Sequence, residues 1–241
     1  MQGREPIYKV IKRQISDNLS EGKWRHGQAI PSEPLLAKRF NASIGTVRKA
    51  IGELVAENIL VRQQGRGTFV TSFTRDYMLN VFFTIVEKKG RAKELPQTDL
   101  LSFRRTKADL ATANELGLPR DAPVFEIHNL LRLGSEPVIF DSLRFSAALF
   151  PDMSERIFQQ RESTIYALYQ SRYGITVIRT EEMISAVTAD TKLRDLLKLG
   201  DDAAVLKIVR TSYTYPDKAV DTRVRYVKTT KYGYLSVIGK R

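Results

Sequence analysis

The stretch "LVRQQGRGTFV", residues 60–70, places two glycines one residue apart around an arginine, between short apolar runs. A glycine backbone has no Cβ and can approach an anion closely, so such a loop can cradle phosphates. Nucleotide loops of the Rossmann and P-loop kinds join a strand to a helix, and need a third glycine or a Gly-Lys-Ser/Thr ending. Here "ILVRQ" reads as one strand, "QGRG" as a turn and "TFV" as the returning strand, which makes a hairpin. A protein-kinase glycine loop is also a hairpin, but the chain has neither a His-Arg-Asp nor an Asp-Phe-Gly motif. The nucleotide-loop reading therefore recedes, and the segments upstream decide what the hairpin belongs to.

Those segments read as three helices. Pro6 opens the first, and Ile7, Val10, Ile11, Ile15 and Leu19 follow at helical spacing. Gly22 and Gly27 break it. Ser32 is a suitable N-cap for a short second helix, with Glu33 at the positive helix end and Leu35, Leu36 and Phe40 turned inward. Ser43 caps a third, in which Val47, Ile51, Leu54 and Val55 form the buried stripe and Gly45, Thr46, Arg48 and Lys49 stay open. A short helix, a tight turn and a helix with a basic outer face describe a helix-turn-helix.

Charge agrees with that assignment. The chain of 241 residues has a formal net charge of +12. Residues 1–72 hold twelve Lys/Arg against six Asp/Glu, so under a third of the chain supplies half of the excess, as expected of a nucleic-acid surface. There is no cysteine, and two histidines make a metal site improbable, so neither metal nor cofactor is expected. No apolar run approaches the roughly 20 residues of a membrane span, and the first residues lack a signal-peptide core, so a cytoplasmic address and no membrane partner are expected.

The remainder alternates short helices with strand pairs. "ADLATANELG" reads as a helix ending at Gly117, and "VFEIHNLLRL" with "PVIFDSLRF" as strands closing around Gly134. "STIYALYQSRYG" and "TKLRDLLKLG" are further helices, and "AVLKIVRTSYTYPDKAVDTRVRYV" is a strand pair with a turn at Pro216 and Asp217. This is α+β with a mainly antiparallel sheet. No catalytic constellation stands out: His128 lies in a strand without a nucleophile motif nearby, and Glu181 and Glu182 alternate faces.

The run from "PIYKVIKRQIS" through "PSEPLLAKRFNASIGTVRKAIGELVAENILVRQQGRGTFV" closely resembles the DNA-binding domain of the GntR family of bacterial winged-helix regulators. In that family the third helix enters the major groove and the wing tip lies in the neighbouring minor groove. The resemblance implies a DNA-binding set in which Ser32 and Glu33 open helix two. Ser43 and Thr46 would bond phosphate or a base edge, Arg48 would read bases beside Lys49, and Gln64, Gly65, Arg66 and Gly67 would form the wing. Arginine bonds guanine in bidentate fashion, whereas hydroxyls and glycine amides mainly position the backbone. Ser32 and Ser43 acting as helix caps alone, and Lys49 as solvated surface, are the open alternatives. Pro34 and Ile44 stand where the family often has arginine, which should flatten the salt dependence or alter the operator.

More weakly, "RLGSEPVIFD", "STIY", "LRDLLKLG" and "AVDTRVRYVKTTKYGY" resemble the UTRA effector domain of the HutC branch, whose fold is similar to that of chorismate lyase. The resemblance implies a winged helix-turn-helix domain at 1–72, a linker at 73–92 and an effector-binding and dimerisation domain at 93–241. Arg132 would hold a ligand anion, Asp141 and Asp221 would accept hydrogen bonds, and Thr164 and Tyr166 would close the site from a helix start. Plain interstrand charge pairing is the alternative for Arg132, Asp141 and Asp221. Leu130 stands where sugar-phosphate binders tend to carry a second arginine, and Val227 where they carry a tyrosine, so a more apolar pocket and an organic acid rather than a sugar phosphate are expected. The implied function is a regulator, most simply a repressor, that binds a palindromic double-stranded operator as a homodimer and responds to a small anionic metabolite. The alternatives are a chorismate-lyase-like enzyme acting on a carboxylate while tethered to a nucleic-acid module, and an architectural DNA-binding protein.

Overall fold

The computed structural model describes residues 5–25, 27–57, 59–71, 83–89, 95–161, 164–215 and 217–236. The first three helices follow the apolar spacing: α1 (Ile7–Ser20), α2 (Glu33–Phe40) and α3 (Ile44–Ala56). Ile11 and Ile15 of α1, Leu36 of α2 and Val47, Ile51 and Leu54 of α3 meet in one apolar cluster. The α2–α3 turn is tight because Asn41 takes the left-handed conformation at φ 47°, and the Ser43 hydroxyl then accepts the Thr46 N–H at 3.1 Å. Ser32 occupies the N-cap position of α2, but its side chain makes no capping hydrogen bond.

The hairpin is β1 (Leu60–Gln63) against β2 (Gly67–Val70), with Leu60 opposite Val70. Gly65 and Gly67 adopt φ of 71° and 113°, a region that an L side chain would strain, so the turn requires them. Ala29 bridges to Phe69 as a third, short strand, and Leu60 and Val70 tie the wing into the helical cluster.

Beyond this module a six-stranded antiparallel sheet runs in the order β4-β5-β6-β9-β8-β7. Its strands are β4 (Gln97–Lys107), β5 (Pro123–Leu133), β6 (Glu136–Ser146), β7 (Arg179–Thr188), β8 (Ala204–Thr214) and β9 (Lys218–Lys228). Two short strands, β3 (Ile85–Glu87) and β10 (Tyr232–Tyr234), pair with each other. Helices α5 (Glu155–Gln159) and α6 (Ile165–Tyr173) cover one end of one sheet face through an aromatic cluster of Phe145, Phe150, Phe158, Tyr166 and Tyr169. Phe83, Ile85 and Tyr232 cover the other end of that face over Leu131, Ile139 and Val227. The opposite face carries α4 (Leu110–Leu116) and α7 (Thr191–Leu197).

Four elements, β3, β4, β10 and α5, were not anticipated. β4 shows weak alternation because it is a sheet edge with a bulge between Leu100 and Ser102. α5 is a single turn and a half. Of the expected linker, residues 73–82 and 90–92 lie outside the described residues, but Ile85–Glu87 is strand, held by partners nearly the length of the domain away in sequence. Pro216 of the expected turn also lies outside the described residues, while Asp217 beside it has φ 100°.

Ile51 is fully buried between all three helices. Ile51→Ala should cost about 2–5 kcal/mol, visible as a lower unfolding midpoint in denaturant. Arg13→Ala, which removes only an exposed pair with Glu5, should leave the midpoint nearly unchanged.

Candidate nucleic-acid face and ligand cavity

The open side of α3 and the wing carry the first group of expected residues. Ser43 spends its hydroxyl on the Thr46 N–H and also lies 2.8 Å from the Thr46 hydroxyl, so the two form one local pair at the start of α3. Arg48 is exposed and donates from Nε to Glu33 at 2.9 Å, while Arg62 of β1 donates to the other oxygen of Glu33 at 3.2 Å. One carboxylate at the start of α2 thus joins the second helix, the third helix and the wing. Arg62, which spacing alone did not single out, belongs to this group. Arg66 sits at the wing tip with its N–H on the Gln63 carbonyl and its guanidinium toward the Phe69 ring; Gln64, Gly65 and Gly67 complete the exposed turn. Lys49 is exposed as well, about 100° around the helix from Arg48, and its ammonium lies 3.9 Å from the centroid of Tyr8 in α1.

The second group converges on a cavity of about 340 Å³ in the sheet face between the aromatic cluster and the β3/β10 cover. Asp141, Thr164 and Tyr166 line it. Thr164 caps α6, its hydroxyl accepting the Ala167 N–H, so the helix start faces the cavity. Tyr166 shares a hydrogen bond of 2.7 Å with Ser212, which in turn donates to Asp221 at 2.8 Å.

Two expected ligand residues do not reach it. Asn129 and Leu131 of β5 line the cavity, so Leu130 and Arg132, one residue out of phase, point to the opposite face. There Leu130 is buried under α7, and Arg132 is engaged by Asp99 at 2.6 Å and by the Ser135 carbonyl. Asp221 is fully buried and stands behind the lining, bonded to Ser212 and Arg223. The cavity also carries cations beside its apolar wall. Leu130 says nothing about the cavity, whose cations come from other elements: Arg161 after α5, Arg210 of β8, and Arg223 and Arg225 of β9. Alternate arginines in the otherwise apolar "TRVRYV" were the available signal, since i and i+2 share a face of a strand.

These arginines are mostly answered within the chain. Arg225 pairs with Asp141 at 2.9 Å, Arg223 with Asp221 at 3.0 Å, and Arg210 with Glu182. Burial alone would push the Asp141 carboxyl up, but the guanidinium of Arg225, with Arg223 and Arg210 close by, holds it below its ordinary value. Glu182 behaves alike: burial raises it and Arg210 outweighs burial. Arg161 differs. It stacks on Phe158 at 4.3 Å, and among the described residues no carboxylate pairs with it. Burial pulls its guanidinium below the ordinary value, with only weak opposition from Tyr169 and Asp141. Its Nε, the Nε of Arg223 and Oδ1 of Asn129 are buried without a hydrogen-bond partner among the described residues. Buried polar atoms are rarely left so in a complete structure.

Asp141 is the keystone of this row. Because its carboxyl is held below 3.8, the stabilisation from its pairing is full above that pH and is lost as pH falls below it. Asp141→Asn leaves the buried Arg225 uncompensated and should cost about 3–5 kcal/mol near neutral pH. Unfolding free energy measured against pH should show the variant losing less than the wild type on acidification.

Two family models match the chain: "Bacterial regulatory proteins, gntR family" over residues 7–70 and "UTRA domain" over residues 91–233. The chain is 29% identical over 217 residues to the probable fructoselysine utilization operon transcriptional repressor of Escherichia coli K12, covering 89% of this chain and 87% of that one. It is 31% identical over 147 residues to the histidine utilization repressor of Klebsiella aerogenes, covering 61% of each. A crystal structure of the ligand-binding domain of a GntR-family regulator from Bordetella bronchiseptica superposes with a TM-score of 0.61 at 23% identity, over 66% of this chain and 98% of that one. These relatives are named as regulators rather than enzymes. The chain belongs to the GntR family of bacterial regulatory proteins, with a winged-helix domain followed by a UTRA domain.

Proposed function

We propose that this regulator is a repressor that binds a palindromic operator as a homodimer through residues 1–72, and that a small organic monoanion in the 93–241 domain tunes its affinity. The observation that carries the effector class is the charge of the cavity. Among the described residues, four guanidinium groups meet three carboxylates, Asp141, Glu182 and Asp221, and Arg161, beside the start of α6, is the one that none of these carboxylates pairs with. A partly buried guanidinium without a counter-charge is costly, and a carboxylate offers it a bidentate partner. Phe83, Leu95, Leu131 and Phe158 supply apolar wall for the organic part. A sugar phosphate would bring more negative charge than the cavity leaves unanswered. In this reading Arg161 replaces Arg132 as the anion holder, Thr164 and Tyr166 close the site, and Asp141 and Asp221 aim the β9 arginines.

On the DNA side, Arg48 reads bases from α3 with Ser43 and Thr46 at the backbone, and Gln64, Gly65, Arg66 and Gly67 enter the minor groove. Ser32 and Glu33 position the α2 start. The working compartment is the cytoplasm, and residues 85–87, strand-paired to 232–234, belong with the effector domain rather than the linker.

The coupling between the two sites follows α6. Its first turn lines the cavity, and the residues just past its end, Gly174 and Thr176, border a cleft formed with Leu19, Ile59 and Val70 of the winged helix. Tyr215 and Ile178 pack on the winged-helix core at the same place. A ligand that draws the start of α6 inward therefore biases this contact, and its effect equals its preference for one arrangement over the other.

Thermal shift against a panel of carboxylic acids and sugar phosphates tests the effector. Carboxylic acids should stabilise the protein and Arg161→Met should abolish that response without harming operator binding; stabilisation by sugar phosphates alone would overturn the reading. Arg48→Ala should cost ~1–3 kcal/mol of operator affinity and relax base preference, whereas Arg66→Ala should weaken binding across sequences. Tyr215→Ala should leave operator binding intact and blunt its response to ligand in the same gel-shift assay.

A further inference from the structure

The six-stranded sheet has two edges of different kinds. β4 carries Asp99, Arg104, Arg105 and Lys107 and is interrupted by its bulge, features that discourage the approach of another strand. β7 pairs with β8 in unbroken register from Arg179 to Thr188. After Glu182 it has no charge, no proline and no bulge, and Met183, Ile184, Ser185 and Ala186 are all exposed, Met183 at 75%. A regular edge, uncharged from Met183 onward, presents a row of backbone donors and acceptors to another strand, and an exposed apolar pair rewards covering it.

We propose that β7 is the seam of the homodimer, running antiparallel to the β7 of a second copy with the two-fold axis at Met183. The proposal rests on the dimeric reading above and says where the dimer forms. In a two-fold antiparallel pair, opposite residues share a face, so the axis falls on a residue. With Met183 on the axis, Glu182 meets Ile184, Glu181 meets Ser185, Thr180 meets Ala186 and Arg179 meets Val187, and no like charges oppose. An axis at Glu182 would set two carboxylates face to face, which is unfavourable.

Charge complementarity extends one strand further. Ser185 is opposite Lys207 of β8, and Lys207 makes no ion pair among the described residues. Glu181 of the second copy, whose carboxylate also accepts from Arg179 and Tyr213 of its own chain, is opposite the short Ser185 and lies about two strand spacings, ~9.6 Å, from Lys207. That is within the combined reach of the two side chains, and the axis makes the pair occur twice. The result is one sheet continuous through both copies.

The chain has no cysteine, so single cysteines report contacts cleanly. Opposed Cα atoms in an antiparallel pair are ~4.5–5.5 Å apart, within disulfide range. Met183→Cys should oxidise to a reducible covalent dimer, while Leu101→Cys on the exposed part of β4 should not. Met183→Lys should weaken self-association about tenfold or more, read by sedimentation, because it sets two ammonium groups opposite each other. A wild-type dimer in which Met183→Cys fails to cross-link and Met183→Lys stays dimeric would overturn the seam and leave the dimeric reading standing. A wild-type monomer at micromolar concentration would overturn both.

Discussion

Three carboxylate and guanidinium pairs set on one face of the central sheet govern the rest of the effector domain. Taking ions out of water is expensive, and their mutual attraction offsets the cost only when geometry is good and further hydrogen bonds complete them. The sheet provides that geometry because antiparallel register fixes partners across strands: Asp141 faces Arg225, and Glu182 faces Arg210. Asp221 and Arg223, two residues apart in β9, share a face, and Ser212 of β8 donates to the Asp221 carboxylate while bonded in turn to Tyr166 of α6. The covering elements divide accordingly. Aromatic residues of α5 and α6 seal one end, β3 and β10 seal the other, and the charged row lies between, where a cavity remains.

How much of this could be read from residues alone depends on the range of the interactions. The winged helix was legible because its determinants are local: a capping serine, apolar residues three and four apart, and glycines in a turn that needs positive φ. The α+β character and most strands followed from alternation. β3 was invisible, since three residues become strand only through Tyr232, Gly233 and Tyr234. Arg161 carries no pattern at all. Arg223 and Arg225 showed their common face but not which face holds a cavity, because that depends on what α5, α6 and β3 cover. Arg132 was misjudged for the same reason: alternation set it opposite Leu131, and only the tertiary structure reveals that the cavity is on the Leu131 side.

Among the described residues the two modules meet through small apolar contacts. Tyr215 and Ile178 lean on a core that is otherwise complete within residues 5–71. A contact of this size can be remade in a second arrangement at modest cost, as a regulator with two states requires, whereas the buried ion pairs of the sheet cannot be rearranged cheaply. Rigidity is concentrated in the ligand domain and compliance at its boundary.

Glu33 offers a last consequence. By bonding Arg48 and Arg62 it acts as a counterion carried by the protein itself, so these two side chains are not simply waiting for DNA. A base edge or phosphate that takes over either guanidinium must displace a carboxylate as well as solvent ions. Random sequence, which offers only phosphates, gains less from that exchange than a correctly placed guanine with two acceptors. In the proposed DNA-binding reading the carboxylate would therefore act as a threshold, weakening every weak complex and raising discrimination at the expense of some affinity for the correct one.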